Sequence, residues 1–239
     1  NTIYTGNSRR SFLRNSASAL AVSMLGPYAL DITQRSKPWR VALIGTGWYG
    51  KSDLMRMSQV ANIEVVGLCD VDENQLSEAA QLVKDRLGLS KKPPCYADYN
   101  RMLQQQSPEI VLIGSPDHWH ALQAIDSIKA GAHVYLQKPI SLDILEGEAI
   151  LAAARKHNRV VQIGTQRRST PHLVSGKKRI IDAGLLGNIS HVEMCCYYHM
   201  RLNKPHQLGE IPKGLDYNQW VGPATYLPYE MSQHRSWWR

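Results

Sequence analysis

Residues 40–50 read RVALIGTGWYG, a short apolar run followed by three glycines in the spacing G-x-G-x-x-G. The run 40–44 has the length of a buried strand, and the segment that follows Gly50 is compatible with a helix. A second apolar run, residues 64–69, leads to Asp70, which lies 20 residues beyond Gly50. This order of strand, glycine-rich turn, helix, strand and acidic residue is typical of the βαβ unit that binds dinucleotides.

The residue types in this unit match the chemistry of a dinucleotide. Gly45 permits the tight turn, Gly47 lets the backbone approach a pyrophosphate, and Gly50 lets the helix pack closely on the strand. Backbone amides at the helix N-terminus favour negative charge, so the predicted cofactor contacts include the rest of the motif: Thr46, Trp48 and Tyr49. Asp70 would accept hydrogen bonds from the adenosine ribose and repel a 2′-phosphate, which predicts NAD rather than NADP. A glycine-rich turn without a ligand is the alternative interpretation.

The alternation of strands and helices continues along the chain. Apolar runs at 110–113, 133–136 and 160–163 predict further strands. Asp72 and Asp143 stand where helix N-caps are expected, the second with Glu146 in the capping-box position. This alternation predicts an α/β fold with a parallel sheet, whose ligands bind at the carboxyl ends of the strands. The residues at those ends are Gly45, Asp70, Ser115, Gln137 and Gly164.

Four motifs in order resemble the Gfo/Idh/MocA oxidoreductases: 45–50, Asp70, the segment SPDHWH at 115–120 and QKP at 137–139. The resemblance covers about residues 38–239 and implies two domains. The first is an NAD-binding Rossmann domain at 36–165. The second, at 166–239, would be the start of an α+β substrate domain with an open, mainly antiparallel sheet, which also supports homo-oligomers.

The resemblance also implies roles for single residues. Lys138 would be catalytic and would contact the substrate beside the nicotinamide. The family usually has Glu where this chain has Gln137, so we expect the negative charge at this position to be lost and protonated Lys138 to be less favoured. Ser115, Pro116, His120, Gln137, Lys138 and Gln166 are expected to contact the cofactor, and Arg167 the substrate. His118 and His120 are two positions apart and would not share a helix face, so no metal site is predicted.

The second half of the chain has weaker patterns. Thr170 and Pro171 predict the start of a helix that ends at Gly184, and residues 189–200 predict a strand. The cysteines form no C-x-x-C pair, so we expect small buried side chains rather than a zinc site at Cys69, Cys95, Cys195 and Cys196. Residues 215–224 resemble a loop of exported, sugar-acting family members. The family's catalytic Asp and His are expected beyond Arg239, which makes the chain similar to a C-terminally truncated member.

Residues 1–35 predict a leader. Arg9 and Arg10 precede a short apolar run at 17–30, which is typical of a twin-arginine signal and predicts export to the periplasm. A basic arm that stays on a cytoplasmic protein is the alternative. Of the net charge of +8, residues 1–40 hold +5, so the rest has no basic stripe and nucleic-acid binding is not predicted. No run of about 18 apolar residues occurs, so no membrane span is predicted.

These patterns predict an NAD-dependent oxidoreductase that acts on a sugar, polyol or related hydroxy compound, with the fragment itself expected to be inactive. Two alternatives stay open. One is glycoside cleavage through transient oxidation of the sugar, which the retained Lys138 disfavours. The other is a non-catalytic NAD-binding protein, which Gln137 and the missing catalytic segment keep open.

Overall fold

Six parallel strands form one sheet in the order β3-β2-β1-β4-β5-β6. The structure is a computed structural model that describes residues 37–195 and 208–229. Its strands are β1 Trp39–Ile44, β2 Ile63–Cys69, β3 Cys95–Tyr96, β4 Ile110–Ile113, β5 His133–Gln137 and β6 Val161–Gly164. This strand order is that of the Rossmann fold, in which the chain changes direction between β1 and β4. The α/β fold predicted from the sequence is confirmed.

Helices connect the strands and cover both faces of the sheet. They are α1 Trp48–Val60, α2 Glu73–Arg86, α3 Tyr99–Gln106, α4 His120–Lys129 and α5 Ile144–Lys156, followed by α6 Pro171–Gly176 and α7 Tyr217–Val221. The Asp72 carboxylate caps α2 by accepting from two backbone N–H groups. Asp143 caps α5, and the Glu146 carboxylate accepts from the Leu142 N–H rather than from the N-cap itself. Both predicted caps are therefore present.

Two apolar clusters lie on opposite faces of the sheet. Successive residues of a strand point to opposite faces, so Val41 and Leu43 join one cluster while Ala42 and Ile44 join the other. Helices α1 and α2 pack on the first face, and α3, α4 and α5 pack on the second. Within the described ranges, no helix is long and apolar enough to cross a membrane.

The sequence patterns missed β3 and α3, which lie between Cys95 and Gln106. A strand of two residues has no detectable alternation of apolar and polar side chains. Helix α3 has eight residues, and Met102 and Leu103 are its buried members. Both elements therefore depend on packing against β2 and α4 rather than on a strong local signal.

The structure of the segment after β6 differs from the predicted one. The helix predicted from Thr170 to Gly184 is α6 followed by a π-helical turn at Lys177–Ile181, and its apolar side chains are about half exposed. Residues 189–195 are not a strand, because no strand of the described residues pairs with them, and 196–200 lie outside the described residues. Cys69 is buried as predicted, whereas Cys95 and Cys195 are exposed, because the edge strand β3 and the unpaired segment at 189–195 leave them uncovered.

Three predictions are not tested by these elements. The leader at 1–35 and Cys196 lie outside the described residues. The boundaries and the antiparallel sheet of the second domain, 166–239, also stay predictions. Within the described residues, an antiparallel bridge joins Asp72 and Leu215.

Candidate functional site

The glycine-rich turn after β1 has two glycines that the fold itself requires. Gly45 has φ +83°, and a Cβ there would overlap the backbone of Gly114 and Ser115. A Cβ on Gly50 would overlap the carbonyl oxygen of Gly45. Close packing of the turn against α1 and against the end of β4 therefore excludes a side chain at either position.

Gly47 is different, because a Cβ built on it meets no heavy atom within 4 Å. It is the N-cap residue of α1, so the first N–H groups of a 13-residue helix begin beside this open space. The first turn of α1 contains no acidic side chain. Unpaired N–H groups and the positive end of the helix dipole favour a phosphate here. The turn thus fits the pyrophosphate of a dinucleotide.

Asp70, at the end of β2, braces this turn. Its Oδ2 accepts from the Thr46 N–H at 2.6 Å and from the Thr46 hydroxyl at 3.0 Å, and its Oδ1 accepts from the Asp72 N–H at 3.0 Å. Burial raises the pKa of Asp70, and these three hydrogen bonds act against that rise. A carboxylate accepts about four hydrogen bonds, so room for about one ribose hydroxyl remains. Bracing of the turn is a role that the sequence patterns did not indicate.

The end of β4 is held by His120, the first residue of α4. The ring is 1% exposed, with Nδ1 2.6 Å from the Pro139 carbonyl oxygen and Nε2 3.0 Å from the Ser115 carbonyl oxygen. The Ser115 hydroxyl donates to Gln123 at 2.6 Å. His120 therefore joins the ends of β4 and β5 through two carbonyl oxygens, and its expected contact with a cofactor stays a prediction.

Gln137, the last residue of β5, is 5% exposed and uses both ends of its amide. Its Nε2 donates to Asp53 Oδ2 at 2.7 Å, and its Oε1 accepts from the Lys138 N–H at 3.0 Å. Position 137 itself is neutral, as expected from a glutamine, and the Asp53 carboxylate supplies a negative charge beside it. The expected effect on Lys138 stays a prediction. The Lys138 side chain that follows is exposed.

Asp53 was missed by the sequence analysis. It lies on α1 one turn after Gly50, and burial raises its pKa, while the hydrogen bond from Gln137 and the nearby Arg56 lower it. The spacing of three residues from the last glycine is the signal that could have identified it. Such a spacing places a side chain on the same face of the helix.

Gln166 and Arg167 lie in a 3₁₀ helix, Gln166–Ser169, that follows the end of β6. Both side chains are exposed and stand at the same edge of the sheet as Lys138. The sheet therefore brings together the ends of β1, β2, β4, β5 and β6, as predicted. The contacts of these residues with a cofactor or substrate stay predictions.

Residues 208–229 add a segment that the sequence analysis placed only by resemblance. The Asp216 N–H donates to the Val71 carbonyl oxygen at 2.9 Å, and Trp119 Nε1 donates to the Gln219 carbonyl oxygen at 3.0 Å. His118 Nε2 lies 2.9 Å from the Trp220 carbonyl oxygen. The segment therefore connects the turns that follow β2 and β4. His118 and His120 have different partners, and in the described ranges no cluster of three His, Cys, Asp or Glu could hold a metal ion.

Comparisons with known proteins agree with this geometry. An oxidoreductase family with an NAD-binding Rossmann fold, Gfo/Idh/MocA, matches residues 39–165. Glycosyl hydrolase family 109 protein 1 of Akkermansia muciniphila is 26% identical over 183 residues, which are 73% of this chain and 36% of that protein. Inositol 2-dehydrogenase of Salmonella typhimurium is 29% identical over 150 residues, which are 62% of this chain and 43% of that protein.

A solved structure is similar as well. The crystal structure of scyllo-inositol dehydrogenase from Lactobacillus casei, with bound NAD(H) and scyllo-inositol, has a TM-score of 0.55 and 26% sequence identity. It matches 64% of this chain and 44% of that enzyme. The chain therefore spans less than half the length of the relatives it matches.

The family match covers more than half of the 239 residues and contains the glycine turn, Asp70, His120, Gln137 and Lys138. The order β3-β2-β1-β4-β5-β6 and the open space at Gly47 agree with it. The chain therefore belongs to the Gfo/Idh/MocA family of oxidoreductases and carries its NAD-binding Rossmann domain.

Proposed function

We propose that the protein transfers a hydride between NAD and a sugar, a polyol or a related hydroxy compound. One observation carries the proposal: a single sheet edge holds the open turn at Gly47, the half-buried carboxylate of Asp70 and the exposed Lys138. These are a place for a pyrophosphate, an acceptor for a ribose hydroxyl and a donor for a substrate oxygen. Inositol dehydrogenases among the similar proteins support the polyol class.

Asp70 supports NAD over NADP. Its carboxylate already accepts three hydrogen bonds and lies against the glycine turn. A 2′-phosphate on the adenosine ribose would bring about two further negative charges beside the Asp70 carboxylate, whereas a 2′-hydroxyl donates a hydrogen bond to it. We therefore expect NADH to bind more tightly than NADPH.

Lys138 supports the chemistry at the substrate. NAD, when bound, supplies the acceptor for the hydride, and the protein supplies orientation and charge. The Lys138 ammonium would donate to the oxygen of the reacting hydroxyl and stabilise the negative charge that develops there as the hydride leaves. The backbone of Lys138 is held by Gln137, so the ammonium starts from a fixed point at the end of β5.

The test compares Lys138→Ala with Lys156→Ala, an exposed lysine at the end of α5. NADH and NADPH binding are measured by calorimetry, and NADH formation is followed with inositols, aldoses and polyols. Loss of one positioned donor lowers turnover by roughly 100-fold or more, so we expect that loss in Lys138→Ala and none in Lys156→Ala. The affinity for NADH is expected to stay within about threefold in both variants. Undiminished kcat in Lys138→Ala would overturn the assigned role.

Glycoside cleavage through transient oxidation is the second candidate, because glycosyl hydrolase family 109 proteins are among the similar sequences. The two functions differ in their products. A dehydrogenase accumulates NADH in proportion to oxidised substrate, whereas cleavage releases the aglycone from an aryl glycoside with no net NADH. If the protein binds NADH but neither product forms with any of these compounds, a non-catalytic NAD-binding role is favoured instead.

A further inference from the structure

We propose that Asp53 is a positioning residue of the active site, which acts through the Gln137 amide to hold the backbone of Lys138. This inference rests on the proposed function, since it assigns Lys138 to the reacting centre. Its geometric part concerns three groups that two hydrogen bonds join into a chain: the Asp53 carboxylate, the Gln137 amide and the Lys138 N–H.

The direction of both hydrogen bonds is set by chemistry. An ionised carboxylate only accepts, and a backbone N–H only donates. Gln137 must therefore donate toward Asp53 and accept from Lys138, and a neutral amide does both. A glutamate at position 137 would need a proton to make the bond to Asp53. Asp53 and Gln137 are thus chemically matched to each other.

The Gln137 side chain has little freedom to choose another arrangement. It is 5% exposed, and its register partner on β6 is Gly164. A Cβ on Gly164 would lie 2.8 Å from Gln137 Nε2, so this neighbour leaves just enough space for the amide. Gly164 confines the Gln137 amide on one side, and the Asp53 carboxylate accepts from it on the other. The Gln137 Oε1 is therefore held toward the Lys138 N–H.

Asp53 also connects the two halves of the proposed site. It lies on α1, the helix whose N-terminus faces the expected pyrophosphate, while Gln137 and Lys138 end β5. The charged or titratable groups near Asp53 are Arg56 on α1 and Tyr135 on β5. Asp53 is therefore the anionic group that joins the cofactor-binding helix to the strand end bearing Lys138.

The test is a double-mutant cycle of Asp53→Asn, Gln137→Glu and the combination of both. Gln137→Glu places a second carboxylate against Asp53 with no proton to share at neutral pH. The combined variant restores one negative charge and one donor, since the asparagine amide donates to the new glutamate and the Lys138 N–H still has an acceptor. Coupling between touching residues corresponds to a factor of roughly 2 to 150.

We expect Gln137→Glu to lower kcat at least about tenfold and the combined variant to return to within about threefold of the wild type. The loss in Gln137→Glu should shrink as the pH falls, because two close carboxylates can then share a proton. A merely structural defect would not be relieved in this way. The matched control is the exposed pair Gln81 and Asp85, joined at 2.8 Å, where Gln81→Glu and Asp85→Asn are expected to leave kcat unchanged.

A readout without turnover separates this inference from the proposed function. Hydrogen exchange of the Lys138 amide is expected to quicken in Gln137→Glu, where two carboxylates repel each other, and to slow again in the combined variant. If the 239-residue wild type has no dehydrogenase activity, as expected for a fragment, this exchange pattern still decides the positioning role. Unchanged exchange in Gln137→Glu, or a combined variant no better than the worse single one, overturns the inference.

Discussion

Replacing Gly47 by alanine separates the requirements of the fold from those of the cofactor. Gly47 has φ −62° and ψ −177°, which any residue adopts, and a methyl group there meets no protein atom within 4 Å. Gly50 is the matched comparison in the same turn. A methyl group on Gly50 overlaps the Gly45 carbonyl oxygen and lies 3.2 Å from Leu43 Cδ1.

The expected stabilities follow from these contacts. Alanine is a poorer N-cap than glycine by up to about 1 kcal/mol. The reduced freedom of the unfolded chain restores roughly 0.4–1 kcal/mol. Gly47→Ala should therefore keep its free energy of unfolding within about 1 kcal/mol of the wild type. Gly50→Ala must move backbone, for which overpacked sites typically lose about 1–3 kcal/mol or more.

Gly47→Ala is expected to lower the affinity for NADH strongly, although it hardly changes the stability. A methyl group would occupy the space in which backbone N–H groups approach the pyrophosphate. Hydrogen bonds to charged groups contribute about 1.5–3 kcal/mol each, so the loss of one of them weakens NADH binding by roughly 10- to 150-fold, and the loss of two by more. Urea unfolding and calorimetric titration with NADH measure the two quantities on the same samples.

Two results would refute this reasoning. A folded Gly47→Ala protein that binds NADH within about threefold of the wild type would show that the pyrophosphate does not lie above Gly47. A Gly50→Ala protein with wild-type stability would show that the contact with Gly45 is not a constraint. The first result would also remove the main support for the dinucleotide site.

Three further predictions concern the residues that surround this turn. Asp70→Asn replaces an acceptor by an NH₂ donor where backbone N–H groups already point. We therefore expect the free energy of unfolding in urea to fall by about 1–3 kcal/mol and the preference for NADH over NADPH to become smaller. An unchanged free energy of unfolding would contradict the bracing role. Gly222→Ala should lower the free energy of unfolding in urea more than Gly88→Ala does. Both glycines have positive φ, but only at Gly222 does an added Cβ overlap Trp119. Equal losses would show that this packing is unimportant. Burial raises the pKa of Asp53 above its unfolded value of 3.8, so the folded protein binds the proton more tightly and the wild type loses stability as the pH rises and Asp53 ionises. The stability of Asp53→Asn relative to the wild type should therefore increase from about pH 4 to pH 7. A difference in stability that does not change with pH would contradict this prediction.

The predicted parts of the fold are those with strong local signals. The apolar run of β1, the glycine spacing and the position of Asp70 specify one βαβ unit, and Asp72 and Asp143 mark helix starts through bonds to N–H groups two or three residues away. The strand predicted at 189–200 had the right composition but, in its described part, no partner strand. A strand forms only where a neighbour accepts its hydrogen bonds.

The parts that could not be predicted depend on contacts between distant residues. Asp53 and Gln137 are 84 positions apart, and His118 and Trp220 are 102 apart. Both histidines in the segment 115–120 looked alike as residue types, yet His120 is buried between two carbonyl oxygens and His118 binds the C-terminal segment. Their separate roles depend on which backbone groups the sheet places beside them.

The amino-acid sequence by itself determined five of the six strands, the glycine turn and the edge of the sheet where a dinucleotide belongs, because periodicity, caps and glycine spacing act over a few residues. The tertiary structure alone decided that Asp70 braces the turn, that His120 joins the ends of β4 and β5 and that Asp53 supplies the charge beside Gln137. The physical reason is that hydrogen bonds and burial act between neighbours in space, and those neighbours exist only once parallel strands have aligned their carboxyl ends.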